Sequence, residues 1–320
     1  MSGPATLAGL AEDYRALREG TGAHRLAHDV VAVTGPDATS YLQGQLSQDV
    51  APIEVGGSSP ALLLWPDGKL AALLRVTRTA MDAYALDTDA GFGEVVAVRL
   101  AKFKLRTKVD IGPLEWPCVA LRGAAVRAAG VRAAPPFELA VDWNGAHGVD
   151  LLGPGADGAV PEGARWCGEE AWEALRVEAG IPKMGAELDE RTIAAEAHLV
   201  ERTVSFTKGC YTGQELVARL DARGSRVARR LCGLVVEGAG AEDAVRLAGS
   251  SLWAPGREKP VGRVTSAAWC PGLGARGAGG ALGALCYLHR SVEVPAEIEW
   301  GSEEPGERRP AEARSLPLVA

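Results

Sequence analysis

Lys208-Gly209-Cys210-Tyr211-Thr212-Gly213-Gln214-Glu215 is the stretch on which the reading of this chain turns. Eight residues hold a cation, a thiol, two glycines, an aromatic ring, an amide and a carboxylate. No amphipathic helix or strand needs that mixture, and two glycines so close together weaken either element. Glycine is the usual choice where the backbone turns sharply or another group comes close. The stretch therefore predicts a functional loop with Cys210 at its tip. A reactive thiolate wants a cation beside it and backbone N–H groups facing it. Lys208 and the glycine-flanked turn supply both. On this reading Cys210 is a nucleophile, a redox thiol or a sulfur ligand; the plainer alternative is a small residue packed in a turn. No histidine stands near it in sequence, so a Cys–His protease arrangement has no support.

Working outward, 320 residues are enough for two or three domains. A hydrophobic share of 47% and a charged share of 23% are globular composition. No apolar run approaches the ~20 residues of a membrane span. Met1 to Gly20 carries Glu12, Asp13, Arg15 and Arg18 and lacks a signal-peptide core, so a soluble, cytoplasmic protein is expected. The net charge of −7 argues against a dominant nucleic-acid footprint. The six cysteines are scattered without a C-x-x-C pair, which is neither a zinc spacing nor a disulfide framework. His24 and His28 stand four apart but precede a strand, so no metal pair is expected. Gly272, Gly274 and Gly277 fit G-x-G-x-x-G, yet a strand follows them instead of a helix, so no dinucleotide site is expected.

Residues 1–20 read as a short helical or loose leader. Val30 to Val33 is a β-branched strand, Ala38 to Leu46 a helix after Gly35-Pro36-Asp37. Ala61 to Trp65 and Leu70 to Thr77 flank Pro66-Asp67-Gly68-Lys69, a strong hairpin signal. Asp82 to Asp87 is a third strand, Glu94 to Lys104 a helix and Thr107 to Ile111 another strand. This order resembles a split β-α-β unit. A second run follows: strand Cys118 to Leu121, short helix Ala124 to Ala129, strands Phe137 to Val141 and Gly148 to Leu152. Glu169 to Ala179 is the clearest helix, with Glu169 and Glu170 in its first turn, Gly180 as cap and Pro182 beyond. Thr203 to Phe206 reads as a short strand. Leu231–Val236, Val261–Ala268 and Leu282–Leu288 predict a small β-barrel or sandwich, and residues 301–320 a disordered tail.

Two further groups stand out. Glu178 lies in the last turn of its helix, where a carboxylate faces the negative end of the macrodipole at a cost of a few tenths to about 1 kcal/mol. Either it is solvated and paired with Arg176 or Lys183, or it accepts two parallel hydrogen bonds from a planar donor pair such as a pterin or guanidinium. Gln43, Gln45 and Asp49 form a polar cluster around Gly44, either an exposed helix end or the lining of a ligand cleft.

Taken together, these segments resemble the YgfZ family of folate-binding proteins. Lys208 to Glu215 is similar to its K-G-C-[aromatic]-x-G-Q-E signature. Tyr41-Leu42-Gln43-Gly44-Gln45-Leu46-Ser47-Gln48-Asp49 resembles its F-L-Q-G-Q-x-T-x-D. Leu175 through Asp189 resembles its R-x-E-x-G-x-P-x-x-G-x-E-x-D block, and Gly262-Arg263-Val264-Thr265-Ser266 its G-x-V-T-S. The match spans roughly 24–290. The resemblance implies an α+β, three-domain ring of the aminomethyltransferase (T-protein) type: two ferredoxin-like split β-α-β units plus a C-terminal β-barrel. The expected domains are 20–115, 116–228 carrying the signature (the two exchanging segments), 229–300 for the barrel, and the tail 301–320.

The resemblance also implies tetrahydrofolate as bound ligand. Glu178 would grip the pterin, and Asp49, Gln45, Tyr211, Gln214 and Glu215 would line the folate site. Cys210 would be the functional thiol, with Lys208 beside it. The implied setting is upkeep of iron–sulfur enzymes with a link to tRNA modification, so the implied partners are iron–sulfur client enzymes or tRNA-modification enzymes. The alternative is a folate-dependent aminomethyltransferase of the glycine-cleavage type. The T-protein's acid/base carboxylate follows the hairpin, where this chain reads Leu70-Ala71-Ala72-Leu73-Leu74 with no acid. Ser47 stands where the family usually has Thr, and Ala194-Ala195-Glu196 replaces Pro-x-Glu.

Overall fold

A computed structural model describes residues 6–127, 134–224, 226–274, 279–302 and 307–319. Its first α+β unit runs β2 (His28–Thr34), α2 (Ala38–Gln45), β3 (Ser58–Leu64), β4 (Leu70–Ala80), β5 (Ala83–Asp89), α3 (Gly93–Lys102) and β6 (Asp110–Leu114). The strands form one antiparallel sheet in the order β3-β4-β5-β2-β6. Helix and strand periodicities converge on one core, where Val31 and Val33 meet Leu42 of α2 and Val96 and Leu100 of α3. The β3–β4 turn forms as expected, with Gly68 in the left-handed region at φ 84°.

The second sheet has the order β10-β1-β7-β9-β8. Its strands are β1 (Gly22–Leu26), β7 (Cys118–Arg122), β8 (Phe137–Trp143), β9 (Ala146–Leu152) and β10 (Arg165–Trp166). β1 is thus followed directly by a strand of the other sheet, so the chain crosses between units at Ala27. Helix α4 (Glu169–Ala179) then packs Trp172 and Leu175 toward the second unit and Ala174 and Val177 toward the barrel. Gly180 ends it in the left-handed conformation at φ 72°.

After the short helices α5 (Val200–Thr203) and α6 (Gln214–Asp221), the chain closes a barrel. Its strands are β11 (Arg229–Val236), β12 (Ser251–Trp253), β13 (Gly262–Cys270), β14 (Ala281–His289), β15 (Ala296–Gly301) and β16 (Arg309–Arg314), with one turn of helix, α7 (Ala244–Leu247), between the first two. The order is β11-β14-β13-β12-β15-β16. No helix among the described residues is long and apolar enough to cross a membrane.

The leader takes the helical of its two expected forms, as α1 (Leu7–Arg18), and is docked with Leu10 and Leu17 buried. Three expectations need correction. The tail is not disordered over its described part, because β16 pairs with both β15 and β11 and buries Ala313 completely. Residues 303–306 of that tail lie outside the described residues. Thr203 to Phe206 is no strand: Thr203 ends α5, and its hydroxyl bonds back to the Leu199 carbonyl at 2.7 Å, the local competition that β-branched hydroxyl residues offer. Residues 124–127 form a turn instead of a helix, while Ala128 and Ala129 fall outside the described residues, as does Gly277.

Candidate functional site

The end of α2 leaves its last carbonyls without helical partners. The loop 205–213 supplies those partners. Lys208 Nζ donates to the carbonyls of Gln43 (2.6 Å), Leu46 (2.7 Å) and Gln48 (3.0 Å), the first of them 165 positions away. Thr212 N–H donates to Gly44 O at 3.1 Å, and Ser205 N–H to Ser47 O at 3.0 Å. Ser47 Oγ donates to Thr203 O (2.6 Å) and accepts from Leu62 N–H (2.8 Å). A cation at a helix C-terminus also meets the favourable end of the macrodipole. Burial pulls the Lys208 ammonium down to about 8, with the Asp49 charge acting the other way.

This placement corrects the expected role of Lys208. An ammonium has three protons, and all three go to backbone carbonyls. Lys208 fastens the loop to α2; it is not a free cation for the thiol. Gly213 has a packing role as well. It sits at φ 85°, and a Cβ there would stand 2.5 Å from Trp65 O and 2.8 Å from Leu64 Cβ. The β3–β4 turn is interlocked from its own side, since a Cβ on Gly68 would lie 2.4 Å from Leu216 Cβ. Gly209 meets nothing within 4 Å and needs no left-handed backbone.

Cys210 is the exposed member of the six free cysteines; the other five are buried. The loop borders a cleft of about 510 Å³ lined by Ser205, Phe206, Lys208, Tyr211, Gln214, Glu215 and Ala218; Cys210 stands between two lining residues and is not itself one. The Tyr211 ring lies beside Lys208 (5.1 Å from Nζ to the centroid) and packs with Leu62, Leu64 and Met184. Gln214 Oε1 accepts the Tyr211 N–H at 3.2 Å, while Glu215 faces solvent and pairs with Arg219 at 2.9 Å.

Asp49 and Gln45 lie on the same side as the loop but serve the frame. Asp49 Oδ1 accepts from Gln43 Nε2 (2.8 Å) and Ala51 N–H (3.3 Å). Gln45 Oε1 accepts from Arg99 Nη1 at 3.1 Å. Arg99, which sequence reasoning missed, is fully buried, bonds Leu64 O twice (3.0 and 2.7 Å) and lies against the Trp65 and Phe103 rings. Burial lowers its guanidinium below the usual range. Its helical position gave it the look of a surface dipole partner, so only the packing reveals it.

Glu178 belongs to a second group of residues. Its carboxylate is fully buried. Oε2 accepts from Tyr14 Oη (2.5 Å) and Arg18 Nη2 (2.7 Å), and Oε1 from Gly272 N–H (3.2 Å). Burial pushes the carboxyl above its usual range, against the hydrogen bonds from Tyr14 and Arg18. Arg18 Nη1 is tied to Gly145 O at 2.6 Å. Neither Arg176 nor Lys183 serves Glu178. Arg176 bonds Glu173, Glu187 (2.9 Å) and Ser266 (2.8 Å), and Glu187 accepts from Thr265 (2.7 Å) and Ser266 (2.6 Å). That buried network locks α4 to the barrel. Lys183 Nζ pairs with Glu173 at 2.8 Å. Tyr14 and Arg18 were missed because α1 read as a leader; their spacing of four on one helix face was the available signal.

Between the two sheets lies a third buried set. Asp87 accepts from His28 (3.0 Å) and from Arg75 (3.0 and 2.8 Å), and Arg75 reaches Asp150 at 2.7 Å. Donor atoms of His28, Asp87 and Cys118 lie within 4.8 Å of one another, as metal ligands do. The Arg75 guanidinium fills that space, with Nη2 3.7 Å from Cys118 Sγ, and opposes a second cation there.

No protein-family model matches the chain. It is 30% identical over 220 residues to the tRNA-modifying protein YgfZ of Cronobacter sakazakii, covering 61% of this chain and 65% of that one. It is 29% identical over 231 residues to the protein of the same name from Vibrio vulnificus, covering 66% and 69%. An uncharacterized protein of Haemophilus influenzae is 28% identical over 201 residues, covering 62% and 68%. The chain thus spans about two thirds of the length of these relatives, between 65% and 69%. The glycine cleavage system aminomethyltransferase T of Bartonella henselae superposes with a TM-score of 0.76 at 21% identity, over 97% of this chain and 89% of that one, which establishes the shared fold.

Proposed function

We propose that this chain, a YgfZ-type protein built on the T-protein fold, binds a reduced folate through Glu178 and carries its functional thiol at Cys210. The proposed role is upkeep of iron–sulfur enzymes, with a link to tRNA modification. One observation carries the reading: two motifs far apart in sequence clasp each other through Lys208 and Thr212, and what that clasp presents is the one exposed cysteine, beside a cleft. A structural loop has no need to hold a thiol in water.

The Glu178 side fits a pterin as a buried acceptor for its N–H donors. A buried carboxylate accepts a planar N–H pair with charge-assisted strength. Gly272 adds no side chain of its own in front of it: a Cβ there would stand 3.0 and 3.2 Å from the two oxygens and 2.2 Å from the Tyr14 hydroxyl. A reduced folate supplies a one-carbon carrier at its ring nitrogens when bound. The chain's own part is to hold the ring by its donor edge, exclude water around the carboxylate and keep the thiol loop fixed.

The T-protein fold favours the second reading, aminomethyl transfer. Against it, the strand after the β3–β4 turn presents Leu70, Ala71, Ala72 and Leu74 as buried packing where that chemistry needs an acid. Two experiments test the proposal. Cys210→Ser should abolish rescue of iron–sulfur enzyme activity in a deletion strain while the protein stays folded; full rescue removes the thiol's role. Calorimetry with tetrahydrofolate on wild type and Glu178→Ala should show loss of binding, and equal affinity refutes the clamp. Glycine-cleavage turnover with a lipoyl carrier protein would instead support the second reading.

A further inference from the structure

Glu178 has no accessible surface, so nothing can reach it unless a present neighbour moves. A carboxylate offers about four acceptor sites, two on each oxygen. On Oε2 both are taken, by Tyr14 and Arg18; on Oε1 one is taken, by Gly272, while the buried Cys270 thiol also faces the carboxylate but has the Ala174 and Ala268 carbonyls as its own acceptors. One site stays open on Oε1 and none on Oε2. A parallel donor pair needs one open site on each oxygen. Loss of a single Oε2 donor meets that requirement.

The two Oε2 donors differ in how they are held. Arg18 is charged and tied three ways: to Glu178 (2.7 Å), to Gly145 O (2.6 Å) and to Tyr14 Oη through Nε (3.0 Å). Tyr14 Oη is neutral, and its hydrogen bonds are the ones to Glu178 and from Arg18. Gly272 also faces it, since a Cβ there would come within 2.2 Å of that hydroxyl.

We infer that α1 supplies an internal occupant of the ligand site: the Tyr14 hydroxyl fills the acceptor that a pterin's N–H pair requires, and binding displaces Tyr14 while Arg18 stays. The inference rests on Glu178 being the pterin acceptor. Tyr14 then acts against the ligand and Arg18 for it, so two neighbours on one helix face carry opposite signs. Burial raises the Tyr14 hydroxyl above its usual range, which keeps it a donor. Arg18 holds Glu178 toward its ionised form; without that cation the buried carboxyl takes up a proton and loses an acceptor.

The test is calorimetry of the full chain with tetrahydrofolate on wild type, Tyr14→Phe, Arg18→Gln and Glu178→Ala. Phenylalanine keeps the ring that packs beside α4, and a thermal melt checks the fold. Tyr14→Phe should bind about tenfold tighter, the effect of removing a neutral donor that competes for a charged acceptor. Arg18→Gln should bind more weakly, with affinity recovering as pH rises. A purely structural role for Tyr14 predicts no gain in affinity. If Glu178→Ala loses binding while Tyr14→Phe matches wild type or is weaker, the displacement is wrong and the acceptor stands. If Glu178→Ala binds as wild type does, the acceptor reading fails and takes this inference with it. Absence of binding by wild type and every variant overturns both.

Discussion

Gly209 and Gly213 flank Cys210 in one loop, and the structure assigns them opposite tolerances for a methyl group. At Gly213 the backbone is left-handed, φ 85°, which costs an L-residue about 1–2 kcal/mol. The new Cβ would also stand 2.5 Å from Trp65 O and 2.8 Å from Leu64 Cβ, atoms fixed by the end of β3. Relief needs a backbone shift, typically about 1–3 kcal/mol. Against this, alanine restricts the unfolded chain and returns about 0.4–1 kcal/mol. Gly213→Ala should therefore lose about 1–5 kcal/mol locally. Gly209→Ala meets nothing within 4 Å and should be neutral or gain about 0.4–1 kcal/mol. A chain of three units need not unfold in one step, so the suitable assay is native-state hydrogen exchange of the α6 amides. Equal effects from the two substitutions, or unchanged exchange in Gly213→Ala, refute the interlock between loop and β3–β4 turn.

Lys208→Met should leave three carbonyls without their donor and speed exchange at the Thr212 amide, with a loss of about 1–3 kcal/mol; unchanged exchange means the clasp is not what holds the loop. Glu187→Ala takes one of its two carboxylate partners from the buried Arg176 guanidinium, which keeps Glu173, and removes the acceptor of the Thr265 and Ser266 hydroxyls, so scanning calorimetry should show a loss of about 1.5–3 kcal/mol; a change confined to tenths would sink the lock between α4 and barrel. The sheet interface should be pH-sensitive with a definite sign. Burial lowers His28, but Asp87 and Cys118 together outweigh that and hold it well above 6.5, so its stabilisation is complete below 6.5 and fades as pH rises through the elevated value. Asp87 is buried, yet Arg75 and His28 bring it down to about 2 from 3.8, so its stabilisation is complete above 3.8 and fades as pH falls through 2. The urea midpoint gap between wild type and His28→Gln should be widest between these limits; a gap that widens from pH 6 to 9 contradicts the sign.

What was legible in the sequence had a local cause. α4 was readable at both ends because two acids mark its first turn and Gly180 its last. The β3–β4 turn was readable because Pro66 and Gly68 preset its dihedrals. The loop 208–213 was visible as an oddity for the same reason, although Gln214 and Glu215, read with it, open α6. β16 was illegible because Arg309-Pro310-Ala311-Glu312-Ala313-Arg314 becomes a strand only through two partners that close a barrel. The docking of α1 was illegible because the worth of Tyr14 and Arg18 depends on a carboxylate 160 or more positions away. The clasp of Lys208 on α2 likewise leaves no periodic trace.

Lys208 shows how one residue type supports two arguments until its protons are located. Beside a cysteine, a lysine suggests a lowered thiol; with every proton on a carbonyl, it is a fastener. The second arrangement still serves a thiol site. A catalytic or binding group must be held to within about 0.5 Å, and loops do this poorly unless tied to rigid elements. Here the thiol loop is tied to α2 by Lys208 and to the β3–β4 turn by Gly213, while the proposed acceptor Glu178 is on α4, which Arg176 and Glu187 lock to the barrel. The segment after α4 joins the two. Met184 packs with Tyr211 and Leu64 on the thiol side, and three residues on, Glu187 bonds Arg176, Thr265 and Ser266 on the other. Two sites that share one short, doubly anchored segment hold a fixed separation. A fixed separation is what the proposed thiol and bound ligand would need in order to act on the same atom.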